Sequence, residues 1–203
     1  MRIPIAAATL AALFVASAGA RAARDATTSA SVERAFPADG RIRMELSAGD
    51  YDISGGAKNR IHIDWSVRDA DQLPKVRTKA DVHDRDALIR IDGPSNRGLK
   101  VAIEVPQQSD LYVRLTAGDL RVEDVRGNKD VELHAGDVRI DVGRAEDYHA
   151  VDGSVWAGDI HAAPFNVIKG GLFRSFGWTG NGPYRLHAKL KAGDIRLYSK
   201  AAS

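Results

Sequence analysis

The chain has 203 residues, with 29 basic residues against 27 acidic ones and no cysteine. That length suits one ordinary domain with a real core. The cysteine count excludes a disulfide framework and a thiolate metal site, and the near balance of charge removes the electrostatic case for nucleic acid.

In chain order, Arg2 precedes an alanine-rich, uncharged stretch from Ile3 to Ala20 that ends in small residues. Residues 1–22 read as a secretory signal peptide, cleaved after Ala20 or Ala22. Its loss would remove Arg2 and Arg21 and leave 27 basic and 27 acidic residues. No later stretch approaches the roughly 20 apolar residues of a membrane-spanning helix, so no membrane span is expected after cleavage. Residues 23–34 are expected to be a flexible N-terminal segment, and residues 35–200 a single β-repeat domain.

Within that domain apolar residues alternate with polar ones: Ile61, Ile63, Trp65 and Val67; Leu99, Val101, Ile103 and Val105; Tyr184, Leu186, Ala188 and Leu190. Period two is the mark of half-buried strands, and no 3.6-residue period is sustained. The tripeptide Ala-Gly-Asp interrupts this alternation five times, beginning at Ala48, Ala117, Ala135, Ala157 and Ala192. Apolar positions change parity across it: Leu111, Val113 and Leu115 are odd, whereas Leu120 and Val122 are even. A corner explains the change, because glycine takes positive φ without steric cost and aspartate bonds the backbone just beyond it. The structural corners are therefore Gly49-Asp50, Gly118-Asp119, Gly136-Asp137, Gly158-Asp159 and Gly193-Asp194.

The corner starts lie 69, 18, 22 and 35 residues apart, and 69 is three times 23. A repeat of about one coil per corner predicts an all-β fold of the β-solenoid kind, a parallel β-helix-like stack. An antiparallel β-meander or sandwich, with Gly-Asp as hairpin loops, is the alternative. Two degenerate corners are expected near Asp71 and Pro94, in the turn-like stretches RDADQLP and DGPSNRG. The segment 164–183 holds five glycines among Phe165, Leu172, Phe173, Phe176 and Trp178. It is expected to be an aromatic, glycine-rich loop that caps the stack edge or contacts a partner.

Residues 99–142, LKVAIEVPQQSDLYVRLTAGDLRVEDVRGNKDVELHAGDVRIDV, contain a strand ending in Val-Pro, a spacer, a second strand, and Gly-Asp-apolar-x-Val corners joined by a glycine-containing turn. In this order of parts, and in the closing GNGPYRLHAKLKAGDIRLY, the chain resembles bacterial exported β-strand-repeat proteins, a domain-of-unknown-function family known as "putative adhesin". The resemblance implies a β-solenoid-like fold in the bacterial cell envelope, in the periplasm or at the surface, and brings no catalytic residues with it.

Candidate chemistry follows from stacking. The corner aspartates would form a column, yet the Gly-Gly-x-Gly-x-Asp nonapeptide of calcium-binding solenoids is missing. Two residues further on, Arg121, Arg139 and Arg196 would form a strip for an acidic polymer, or compensate the aspartates. Phe173, Arg174, Phe176 and Trp178 are the candidate partner-binding residues. Asp81, His83, Asp84 and Asp86 have metal-ligand types but read more simply as a solvated turn, and His62, His134, His161 and His187 each point outward without an evident common site. No metal, cofactor or catalytic set is predicted. The expected function is a non-catalytic envelope module, structural or adhesin-like, with an envelope glycan or another envelope protein as partner. A glycan hydrolase or lyase on the same scaffold is the alternative, and a concave cleft holding close carboxylates would favour it.

Overall fold

A computed structural model describes residues 28–94 and 98–200. The fold is all-β. Its strands are β1 (Ser29–Ala35), β2 (Gly40–Leu46), β3 (Asp50–Gly55), β4 (Arg60–Ser66), β5 (Arg77–His83), β6 (Asp86–Asp92), β7 (Lys100–Val105) and β8 (Ser109–Ala117). They continue with β9 (Leu120–Glu123), β10 (Lys129–Ala135), β11 (Val138–Asp141), β12 (Tyr148–Ala162), β13 (Val167–Thr179), β14 (Tyr184–Ala192) and β15 (Ile195–Tyr198). Only short 3-10 turns interrupt them, at Ala70–Lys75, Ala145–Asp147 and Ala163–Phe165, and no described helix is long and apolar enough to cross a membrane.

The recurring unit is a strand, a corner and a second strand. β2–β3, β6–β7, β8–β9, β10–β11 and β14–β15 are such units, and β12 is the same unit made from one strand bent at Gly158. The first arms lie side by side in the order β6-β2-β8-β10-β14-β12, the second in the order β7-β3-β9-β11-β15-β12, and every pairing within the two rows is parallel. Because β12 belongs to both rows, they form one continuous, nearly closed, barrel-like sheet. Antiparallel strands finish it: β4 on β7, β1 on β4 and β5 on β6 at one end, and β13 along the whole of β12 at the other.

Alternation decides which side chains enter the core. In β2, Ile42, Met44 and Leu46 are buried between exposed or half-buried neighbours, and β9, β10, β14 and β15 repeat the pattern. Each such Ile, Leu or Val withdraws from water at a gain of roughly 1.5–3 kcal/mol. The corners let both arms face that one interior. Gly118, Gly136, Gly158 and Gly193 have φ of 113°, 124°, 140° and 123°. A Cβ on any of them would fall on the carbonyl oxygen of the next corner glycine in the stack.

Several sequence expectations need correction. The units are not stacked in chain order: β6–β7 lies outside β2–β3, and β14–β15 is inserted between β10–β11 and β12. The parallel rows likewise differ from the meander alternative. Asp71 lies in the 3-10 segment between the antiparallel strands β4 and β5, outside the corner stack; Pro94 does fall between two arms, β6 and β7. Residues 164–183, read as a loop, are mainly strand β13, whose glycines hide the alternation while backbone pairing from Ala150↔Thr179 to Ala162↔Val167 holds it. Within 23–34, Ser29 onward already forms β1, paired with β4. Residues 1–22 lie outside the described residues.

Candidate functional site

The corner column comes first because it organises everything beside it. Backbone bonds link the corners: Gly49 N–H donates to Ala117 O, Gly118 to Ala135, Gly136 to Ala192 and Gly193 to Ala157, each at 2.9–3.0 Å. The aspartates repeat the link one atom further out. Asp119 Oδ1 accepts from Asp137 N–H at 3.3 Å, Asp137 Oδ1 from Asp194 N–H at 3.1 Å, and Asp194 Oδ1 from Asp159 N–H at 2.9 Å. Asp119, Asp137 and Asp194 thus form a capping ladder, each carboxylate satisfying a backbone donor of the neighbouring corner. Asp50 begins β3 beside it.

Beside the ladder, register places Asp52, Arg121, Arg139, Arg196 and His161 on consecutive strands, followed by Ile168 on β13. Three guanidinium groups therefore stand in one outward row. Their compensation is loose: Arg121 lies 3.9 Å from Asp52 and 3.7 Å from Glu123, and Arg139 lies 3.9 Å from Asp137. Arg196 has no ion pair among the described residues.

The same row leads to the β12–β13 end, where the aromatic candidates divide. Phe176 is buried against Gly153, and Trp178 packs on Phe165 with ring centroids 4.9 Å apart. Phe173 points away from them and is 72% exposed. It meets Trp156, 58% exposed, edge to face at 5.9 Å. Ile168 and Leu172 are the other large apolar side chains exposed at this tip. The backbone of Phe173 has φ of 54°, a conformation that a bulky L-residue holds only against a penalty. Arg174 Nε donates to Gly170 O at 2.6 Å, and Lys169 Nζ to Ser175 O at 2.6 Å, so two carbonyls of this outermost strand accept from its own cations. Sequence reasoning missed Trp156. Its place next to the corner Ala157 made it look like any outward strand residue.

At the end of the barrel away from the corners, a cleft of about 410 Å³ is lined by Asp124, Asp141, Asp147, Tyr148, Arg144 and Lys200 among others. Its carboxylates are engaged. Asp141 Oδ1 accepts from Gly143 N–H and Lys200 N–H, Asp147 from Arg144 at 2.8 Å, and Asp124 from Lys200 at 3.1 Å. Lys200 and Tyr198 also donate to Glu123 and hold its carboxyl below the usual range, Lys200 contributing most. Tyr198 and Lys200 thereby tie the end of β15 to Glu123, Asp124 and Asp141.

Behind the cleft sits Lys129, also unforeseen. It is 1% exposed, donates to Tyr148 Oη at 2.9 Å, and burial pushes its pKa down to about 8 despite the partial support of Asp141, Asp110 and Asp147. Parity could have found it, since Lys129 is in phase with the inward Val131 and Leu133.

Metal-ligating types do not converge at the β5–β6 turn. Asp81 pairs with Lys79 at 2.7 Å and Asp86 with Arg41 at 2.8 Å. They converge at Asp130, Glu132 and His187.

No protein-family model matches the chain, and no curated protein matches it either. Solved structures do. A structure from Clostridium sporogenes, described as a "putative cell adhesion protein", superposes with a TM-score of 0.56 at 14% identity, covering 85% of this chain and 100% of that one. A "putative adhesin" from Parabacteroides merdae has a TM-score of 0.34 at 12% identity, covering 85% of this chain and 82% of that one. The first similarity is one of fold. The second is too low for any argument.

Proposed function

We propose that the protein is an exported, non-catalytic binding module of the bacterial cell envelope, built on a β-solenoid-like stack, whose contact surface is the β12–β13 tip. The carrying observation is the Trp156–Phe173 pair: two aromatic rings held edge to face in solvent, one of them on a left-handed backbone, while Phe165 and Phe176 nearby are buried and Trp178 is half-buried against the core. Strain kept at an exposed aromatic is the mark of a residue retained for contact.

An acidic envelope glycan is the ligand that this surface fits best. β13 carries Lys169 and Arg174 and no acidic residue, Lys191 flanks Trp156 through the adjacent strand, and the row of Arg121, Arg139 and Arg196 runs toward the same end. Aromatic faces stack on sugar rings while guanidinium groups pair with carboxylates or phosphates. The fold shared with the Clostridium sporogenes protein is in keeping with this reading. The engaged carboxylates of the cleft favour binding over glycan cleavage.

The test is a titration of acidic and neutral envelope polysaccharides against the wild type, the double variant Trp156→Ser/Phe173→Gly, and Arg121→Gln/Arg139→Gln/Arg196→Gln. The reading expects salt-sensitive binding of the acidic polymer. The tip variant should lose at least tenfold in affinity with no loss of melting temperature, and the arginine variant should lose most of the salt dependence. Binding that ignores both sets of substitutions, or release of reducing ends from the polymer, would overturn it.

A further inference from the structure

We propose that Asp130, Glu132 and His187 form a binding site for a divalent transition-metal ion of the zinc type, on the outward face where β10 meets β14. The two strands are parallel and in register with Asp130 opposite His187, and Glu132 follows two residues later on the same face. Period two therefore turns all three side chains to one side. One donor atom of each lies within 4.8 Å of the others, the spacing from which a single ion can be ligated by small rotations.

A second observation concerns the histidine alone. Asp152, across the next strand pair in β12, is hydrogen-bonded to His187 Nδ1. A carboxylate that holds one ring nitrogen as the donor leaves the lone pair of Nε2 outward, and this is how metal-ligating histidines are oriented and made more basic. Nε2 has no hydrogen-bond partner among the described residues. The mixed donor set selects the metal class, because imidazole suits zinc-type ions, whereas calcium and magnesium prefer oxygen ligands alone.

The seat already holds positive charge. Arg114 Nη1 donates to Asp130 Oδ1 at 2.9 Å, and its Nη2 lies 3.5 Å from Glu132 Oε1. The Arg114 side chain is 41% exposed, so it can swing into solvent when a doubly charged ion takes its place. A depression of about 340 Å³ over Asp130, Glu132 and His187 gives the ion an entry and room for a water as its fourth ligand. Ligation would tie β10 to β14, whose paired residues Asp130 and His187 are 57 positions apart in the chain, with Asp152 of β12 as the outer support.

The experiment uses the untagged, metal-free full chain, titrated with zinc chloride by calorimetry and followed by the imidazole NMR signals. One ion per chain is expected, with His187 the ring that shifts, and with a higher melting temperature in zinc. His187→Ala and Asp130→Asn should weaken binding at least tenfold. Arg114→Gln removes the competing cation and should bind zinc as tightly as the wild type or more so. Thermal melts without zinc check that the variants fold, and the wild-type NMR assignment is decisive even where one does not. No stoichiometric binding, a different histidine responding, or affinity unchanged in His187→Ala would overturn the proposal.

Discussion

Lys129 shows how far one residue can depart from the rule of its strand. It occupies an inward position between apolar layers, and its ammonium has a phenol for a partner in place of a carboxylate. Burial lowers its pKa from 10.5 to about 8, so between those values the unfolded chain binds a proton that the native protein does not. Stability must then rise with pH across that window, and the penalty is fully present below pH 8. The size is on the order of 3 kcal/mol, from about 1.4 kcal/mol per pKa unit. Urea unfolding at pH 7 and pH 9.5 should show that rise in the wild type, and Lys129→Met should flatten it. The upper limit matters, because burial raises the Tyr51 and Tyr148 pKa values and destabilises the native state once unfolded tyrosines ionise near pH 10. A wild-type stability that stays level from pH 7 to 9.5 would place the ammonium in better company than the structure does.

The corner glycines obey a stricter rule at the same scale. Gly136 has φ of 124°, and a Cβ there would strike the Gly118 carbonyl, so Gly136→Ala should cost on the order of 2–4 kcal/mol through strain and a parted corner. Gly177, with open space around it and no positive φ, is the control: Gly177→Ala should be nearly neutral. Asp137→Asn should also be mild, since the amide oxygen can still accept from Asp194 N–H. Denaturant midpoints of the three variants check this order, and equal losses for Gly136→Ala and Gly177→Ala would remove the corner from the account.

β13 is the element in which local sequence and final structure differ most. Gly170, Gly171 and Gly177 break the alternation, so the segment reads as a loop, and it becomes a strand only because β12 offers it a full-length edge. Its two ends have separate tasks. Phe176 fills the space over Gly153, so Phe176→Ala should lower stability by roughly 3–5 kcal/mol. Phe173→Gly should keep or raise the melting temperature, because glycine tolerates the left-handed φ, while glycan binding falls. The cations on this outermost strand protect it. With Lys169 and Arg174 both replaced by Ser, Ser175 O and Gly170 O lose their partners, and sedimentation should show concentration-dependent association. A variant that remains monomeric would mean that the strand's twist alone guards the edge.

At the scale of the whole molecule, what the sequence made legible was whatever depends on neighbours a few residues away. Parity changes at Ala48, Ala117, Ala135, Ala157 and Ala192 mark turns of the backbone, and the strands on either side of them follow from period two. The order of stacking was not legible. Whether β14–β15 lies beyond β12 or between it and β10–β11 depends on packing between strands that are tens of residues apart, and no local signal distinguishes the two. The same limit governs the sites. The arginine row can be anticipated because its members hold equivalent positions after each corner, whereas Asp130, Glu132 and His187 meet only through the inserted unit, and Trp156 meets Phe173 only through β13, whose glycines give it the local signature of a loop. Binding at the tip, remote from the cleft at the other end of the arms, is the claim on which the functional account rests. Hydrogen–deuterium exchange of the full chain with and without a saturating acidic envelope glycan tests it most directly. The account predicts slowed exchange at residues 154–158 and 168–175, around Trp156 and Phe173, extending along the row of Arg121, Arg139 and Arg196; slowed exchange confined to residues 141–148 and 198–200, around the cleft, would contradict it.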